Sequence, residues 1–147
     1  MHADLLATSA YYLDPLRPLL LAMIAAEGGE QAFIRAIQCS RPDVTTFGMA
    51  LSIGCKTVRN RLHAAMRAGI PVFTLAKKVG VDPWTDEANP RCLVVTPQFV
   101  DYLASTWAPL HVDNDPTNLN ANWPKNVKTI YAKQLDLEPG TWEGGAL

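Results

Sequence analysis

The sequence predicts a single, mainly α-helical domain with at most a minimal β element. Three observations lead to this prediction. The chain has 147 residues, a length typical of one domain that buries its own core. Its 48% apolar and 18% charged content is that of a globular chain rather than a disordered one. Apolar residues also recur at helical spacing between glycine and proline breaks. We therefore expect one compact domain over 1–147, with 1–8 and 139–147 as candidate flexible ends.

The N-terminal half of the chain is predicted to be helical, with short breaks. Asp14 and Pro15 form an N-cap and a first-turn proline, and the apolar helix after them should end at Gly28-Gly29. A second helix is expected over 30–39. Thr45 or Thr46 can cap a short third helix that ends at Gly54. Further helices are predicted over 56–68 and 72–79.

The C-terminal half should hold the one β segment and two more helices. Residues 91–95 form the only stretch with clear β character. Pro97 begins a helix that reaches Trp107. The segment 111–122, rich in Asn, Asp and Pro, should be irregular, and a last helix is expected over 124–135.

Composition excludes several classes of protein and of site. No stretch approaches the roughly 18 apolar residues that span a bilayer. The acidic Asp4 stands where a secretory signal would be positively charged. We expect synthesis in the cytoplasm without a signal peptide.

Cys39, Cys55 and Cys92 include no CxxC pair, so we expect buried, reduced thiols and predict no metal site and no cofactor.

Glu27 is the main catalytic candidate. It stands at the C-terminal end of the most hydrophobic helix, directly before two glycines. The helix dipole disfavours negative charge there, and an apolar wall would disfavour it further. Both effects favour the protonated form that a general acid requires. The glycines would leave room for a polymer to approach the carboxyl group. A surface glutamate that merely precedes a helix stop is the alternative.

A second candidate site lies between two tryptophans, Trp107 and Trp123. The intervening segment is rich in amide and carboxyl side chains: Asn114, Asp115, Asn118, Asn120 and Asn122. Such groups hydrogen-bond sugar hydroxyls and N-acetyl groups, and indole rings stack on sugar rings. The spacing does not match a calcium-binding EF-hand loop. The alternative is an ordered loop of Asx turns without a ligand.

These two features resemble phage wall-degrading enzymes. Residues 20–29, with Glu-Gly-Gly after an apolar helix, resemble one group of phage endolysins in the lysozyme-like superfamily. The segment from Phe99 to Val127 is similar to a C-terminal segment of phage wall-hydrolase-like proteins. The matching residues are Trp107-Ala108-Pro109, Asn114-Asp115-Pro116, Asn120, Asn122-Trp123 and Val127. The Asp-Pro-Gly-Gly run typical of the endolysin group is missing after Glu27.

The resemblance implies a lysozyme-like fold and a hydrolase or lytic transglycosylase-like domain that acts on peptidoglycan glycan strands. Glu27 would be the general acid. The residues themselves, rather than the resemblance, offer Asp113 or Asp115 as the second carboxyl group, and we take Asp115 as the candidate. The implied substrate-binding residues are Trp107, Asn114, Asn120, Asn122 and Trp123. The protein would be virion-associated, beside other virion proteins, or released at lysis.

Two other functions stay open at this stage. Residues 46–69 resemble a helix-turn-helix, with a turn at Ile53-Gly54-Cys55 and with Arg59, Asn60 and Arg61 on a recognition helix. The stretch 44–81 has six basic residues and no acid, which favours an anionic partner such as DNA, although the net charge of −1 does not. The third candidate is a phage structural or assembly protein without catalysis.

Overall fold

The structure is a computed structural model that describes residues 16–79, 91–108, 119–138, 140 and 142. This part of the chain is mainly helical with a small two-stranded sheet, which confirms the predicted fold class at that level. In chain order the elements are α1 (Leu16–Glu27), α2 (Glu30–Gln38), α3 (Phe47–Arg67), β1 (Phe73–Lys77), β2 (Arg91–Val95), α4 (Pro97–Trp107), a 3-10 helix (Leu119–Asn122) and α5 (Trp123–Gln134). Asp14 and Pro15 lie outside the described residues.

Helix α1 is the central helix of the core. It packs against α5, α2 and β2, and its Leu19, Leu20 and Met23 side chains are fully buried. Helix α5 contributes Val127 and Tyr131 to the same core. Burial of such side chains stabilises each by roughly 1.5–3 kcal/mol relative to exposure. None of the described helices is long and apolar enough to cross a membrane.

The end of α1 is set by Gly28 and Gly29, as the sequence predicts. Both have positive φ, 105° and 112°. The Gly28 amide donates to the Ala25 carbonyl (3.1 Å) and the Gly29 amide to the Ile24 carbonyl (3.0 Å), which is the hydrogen-bond pattern of a Schellman motif. Because L-residues rarely adopt this φ, glycine is needed here. The motif leaves Glu27 as the last residue of the helix.

The predicted break at Gly54, and with it the helix-turn-helix over 46–69, is wrong. Helix α3 runs unbroken through Gly54 from Phe47 to Arg67, and the Thr46 hydroxyl caps it by accepting from the Met49 amide. A Cβ at position 54 would lie 2.9 Å from Cζ of Phe33. Glycine at this position therefore allows α2 and α3 to approach closely, and that packing outweighs its low helix propensity.

The predicted helix over 72–79 is also wrong. Residues 73–77 form β1, which pairs antiparallel with β2 so that Phe73 lies opposite Val95 and Lys77 opposite Arg91. A single-residue alternation of buried and less buried side chains marks β1 as a strand. The β character of 91–95 is confirmed.

The sheet is joined to the helical core by two aromatic side chains. The Val95 amide donates to the Tyr131 hydroxyl (3.0 Å), and the Trp142 indole donates to the Val95 carbonyl (2.6 Å). The Tyr131 and Trp142 ring centroids lie 5.4 Å apart. Trp142 is fully buried although it belongs to the end segment 139–147 that the sequence marks as a candidate for flexibility. The other candidate end, 1–8, lies outside the described residues.

The cysteines differ in environment. Cys55 is a buried, reduced thiol, as expected, and burial raises the pKa of this thiol to about 11. Cys39 is exposed, because it follows the last turn of α2, beyond the buried Ile37. The expectation that Cys39 is buried is therefore wrong. The side chain of Cys92 lies outside the described part of the chain.

The close approach at Gly54 leads to a prediction about stability. Replacing Gly54 with Ala should lower the free energy of unfolding by about 1–2 kcal/mol, because overpacking of the Phe33 ring exceeds the gain in helix propensity. Chemical denaturation of the purified protein measures this change.

The matched control is Gly48→Ala in the same helix. A Cβ at position 48 meets nothing within 4 Å, so this variant should be neutral or stabilised by up to about 1 kcal/mol. If both variants respond alike, the contact with Phe33 does not limit the residue at position 54.

Candidate active site

The side chain of Glu27 is held by two tryptophans from distant parts of the sequence. Oε1 accepts hydrogen bonds from Nε1 of Trp107 at the end of α4 (3.0 Å) and from Nε1 of Trp123 at the start of α5 (3.1 Å). An indole N–H can only donate, so Oε1 acts as an acceptor in both bonds. A proton on this carboxyl group would therefore reside on Oε2.

No cation balances the charge of Glu27 among the described residues. The three ion pairs formed there join Arg41 to Asp43, Lys77 to Glu138 and Lys128 to Asp101. The last turn of α1 contains no basic residue. Neutral donors thus fix the position of the carboxyl group without neutralising it.

The two tryptophans belong to a row of aromatic rings. The Trp107 ring stacks on Trp123, with centroids 6.2 Å apart, and on Phe33 at 5.7 Å. Phe33 in turn contacts Phe47 edge to face at 6.2 Å. Such pairs contribute about 0.5–1.5 kcal/mol beyond the area they bury. The row therefore joins α2, α3, α4 and α5 and holds both indole N–H groups toward Glu27.

Glu27 lies on the wall of an open cleft of about 730 Å³. This volume is within the range of roughly 300–1,000 Å³ that is usual for ligand sites. Aromatic, apolar and small polar side chains line the cleft together: Ala26, Glu27, Ala36, Ile37, Cys39, Ser40, Ile53, Thr57, Thr106, Trp107, Ala108, Asn120, Trp123 and Asn126. Glu27 is the one acid among these described residues.

The structure brings together Glu27 and three of the site residues named from the sequence. Trp107, Asn120 and Trp123 all line the cleft, although 80 to 96 residues separate Glu27 from the two tryptophans. Trp123 is only 6% exposed, so its ring offers little face for stacking on a sugar. Its visible role is to position Glu27.

The other candidates are not in the cleft or are not described. Asn122 is exposed and is not one of the described cleft residues, and its side chain makes no capping hydrogen bond to α5. Asn114 and Asp115 lie outside the described residues, so their roles stay predictions.

Several polar residues of the cleft were not identified from the sequence. They are Ser40, Thr57, Thr106 and Asn126. Only Asn126 could have been identified from the sequence. It lies on the helix predicted over 124–135, three residues after Trp123, and residues three apart share one face of a helix. The remaining three come from α3, α4 and the turn after α2, whose relative placement depends on tertiary packing.

Arg61, assigned above to a recognition helix, has a structural role instead. Its Nη2 donates to the Tyr102 carbonyl (3.3 Å) and to the Ser105 hydroxyl (3.2 Å), and its guanidinium carbon lies 4.1 Å from the Tyr102 ring centre. These contacts join α3 to α4. Arg61 is therefore not free to read bases, contrary to the prediction.

No protein-family model, curated protein or solved structure matches this chain. In the described residues no group of three or more His, Cys, Asp or Glu side chains could hold a metal ion.

The shared hydrogen bonds at Glu27 predict energetic coupling between Glu27 and Trp123. Trp123→Phe keeps an aromatic ring but removes one donor, and should lower the free energy of unfolding by about 1–2 kcal/mol. In a Glu27→Ala background the same change should cost less, with a coupling energy of about 0.5–3 kcal/mol. Urea unfolding of the four proteins of this double-mutant cycle measures the coupling. Additivity within about 0.5 kcal/mol would show that the bond adds no stability.

Proposed function

We propose that this protein cleaves the glycan strands of peptidoglycan and that Glu27 is its general acid. The observation that supports this most is that Glu27, Trp107, Asn120 and Trp123 line one cleft. These residues belong to the two segments in which the sequence resembles phage wall hydrolases of the lysozyme-like superfamily. A lysozyme-like arrangement of the helices and a role in the virion or at lysis belong to the same proposal.

In the proposed reaction a glycan strand lies along the open cleft. Oε2 of Glu27 delivers a proton to the glycosidic oxygen as its bond to the anomeric carbon breaks, so that the leaving sugar departs as an alcohol. The two indole N–H groups hold Oε1 and so direct Oε2 toward the substrate. Preorganisation of this kind lowers the barrier because the acid need not be reoriented during the reaction.

The anomeric carbon must then accept an oxygen nucleophile. In a hydrolase a second carboxylate activates water or attacks directly, and Asp115 is the candidate for that role. In a lytic transglycosylase-like reaction a hydroxyl group of the same sugar attacks and returns its proton to Glu27. Both routes use the same proton donor, so the experiment on Glu27 tests them together.

Glu27→Gln is a well-matched test of the acid. The side-chain carbonyl of the introduced glutamine can still accept from both indoles, so the fold should be preserved, but an amide cannot deliver the proton. Release of soluble fragments from purified sacculi should fall by at least about 100-fold. Glu30→Gln, at the start of α2 and outside the described cleft lining, should retain the wild-type rate. Undiminished release by Glu27→Gln would remove Glu27 from the mechanism.

The amides give a second prediction, about binding rather than catalysis. Asn120→Ala should weaken binding of a neutral N-acetylglucosamine oligomer by roughly 5- to 10-fold through loss of one hydrogen bond. Asn122→Ala is the control, because Asn122 is exposed and is not one of the described cleft residues. Isothermal titration calorimetry measures both affinities. Equal effects of the two changes, with melting temperatures unchanged, would contradict a glycan site at Asn120.

A further inference from the structure

The solvent-facing side of α3 carries a row of cationic side chains. At about 100° per residue, Lys56, Arg59 and Arg67 fall within one narrow sector of the helix. The buried Leu51, Val58 and Ala65 lie on the opposite side. Lys56, Arg59 and Arg67, here called the basic stripe, are all exposed, as are Asn60 and His63 between them. The stripe extends for roughly 16 Å at 1.5 Å per residue.

The stripe is not neutralised by the described part of the protein. None of the ion pairs formed among the described residues involves Lys56, Arg59 or Arg67. The whole stretch 44–81 contains no acidic residue, so α3 itself supplies no counter-charge. Like charges spaced three or four residues apart destabilise a helix slightly. The basic stripe is therefore exposed and accessible to an external anion.

The basic stripe lies beside the cleft. Ile53 and Thr57 of α3 line the cleft, and Lys56 occupies the next position around the helix from Ile53. The cleft wall and the stripe are thus adjacent faces of one helix. A polymer that leaves the cleft over α3 would pass along the stripe.

We propose that the basic stripe binds the carboxylate groups of the peptidoglycan strand that occupies the cleft. This inference rests on the proposed function and names the charged part of the same substrate. The glycan itself would contact Asn120 and Trp107 in the cleft, while the peptide stems that branch from it present carboxylates outside the cleft. Charge complementarity favours this occupant, because the described lining of the cleft includes a carboxyl group and no cation, whereas the basic stripe beside it is cationic. Duplex DNA is the competing polyanion, and the absence of a helix-turn-helix in α3 disfavours it.

The test compares two charge-matched pairs of substitutions. Lys56→Gln with Arg59→Gln removes two cations from the stripe, and Lys78→Gln with Lys133→Gln removes two exposed cations that are not among the described cleft residues. Both pairs are made in the Glu27→Gln background so that the polymer stays intact. Co-sedimentation with sacculi at low salt should show about 3- to 10-fold weaker binding for the stripe pair only. The difference should vanish near 1 M salt, where the Debye length is about 3 Å.

Two further arms, together with the comparison on untreated sacculi, separate the possible outcomes. Sacculi whose carboxyl groups have been amidated should bind both pairs equally, whereas a persistent difference would overturn a carboxylate contact. Equal loss in the two pairs on untreated sacculi would overturn the stripe. Tighter, stripe-dependent binding of random duplex DNA than of sacculi would assign the stripe to nucleic acid. The proposed function fails separately, if the protein without substitutions releases no fragments from sacculi.

Discussion

The carboxyl group of Glu27 is the point at which three helices of the protein meet. It terminates α1, and its Oε1 accepts from indoles on α4 and α5. These two bonds hold the partly buried carboxyl group against both indoles, and each is worth about 0.5–1.5 kcal/mol net. Oε1 of Glu27 therefore links the end of α1 to the end of α4 and the start of α5. The cleft forms where these helix ends converge.

The aromatic row connects this polar contact to the apolar core. Phe33 stacks on Trp107, and the lack of a side chain at Gly54 allows Phe33 to reach its position. Helix α3 consequently has three distinct faces: one buried against α2 and α4, one that lines the cleft, and one exposed and cationic. The single continuous helix α3 thus both supports the candidate site and carries the residues proposed to contact the substrate.

Much of the local structure follows from the sequence, because its causes are local. The glycine pair after Glu27 ends α1, Thr46 caps α3, and Pro97 lies at the start of α4. The two errors in the predicted secondary structure have one physical origin, which is that tertiary contacts override local propensity. Intrinsic propensity predicts a helix break at Gly54, and apolar content predicts a helix over 72–79. Packing against Phe33 and pairing with β2, respectively, determine the conformations actually adopted.

The sequence by itself determined the mainly helical class and most helix ends, and it singled out Glu27, Trp107, Asn120 and Trp123 as candidate site residues. Only the tertiary structure decided that these side chains lie in one cleft, that the indoles donate to Glu27, and that Arg61 packs on Tyr102 while Arg59 stays exposed. Helical periodicity specifies which face of a helix is apolar, but not which other helix covers it. Contacts across 80 or more residues depend on the packing of the whole core, so they could not be predicted from local patterns.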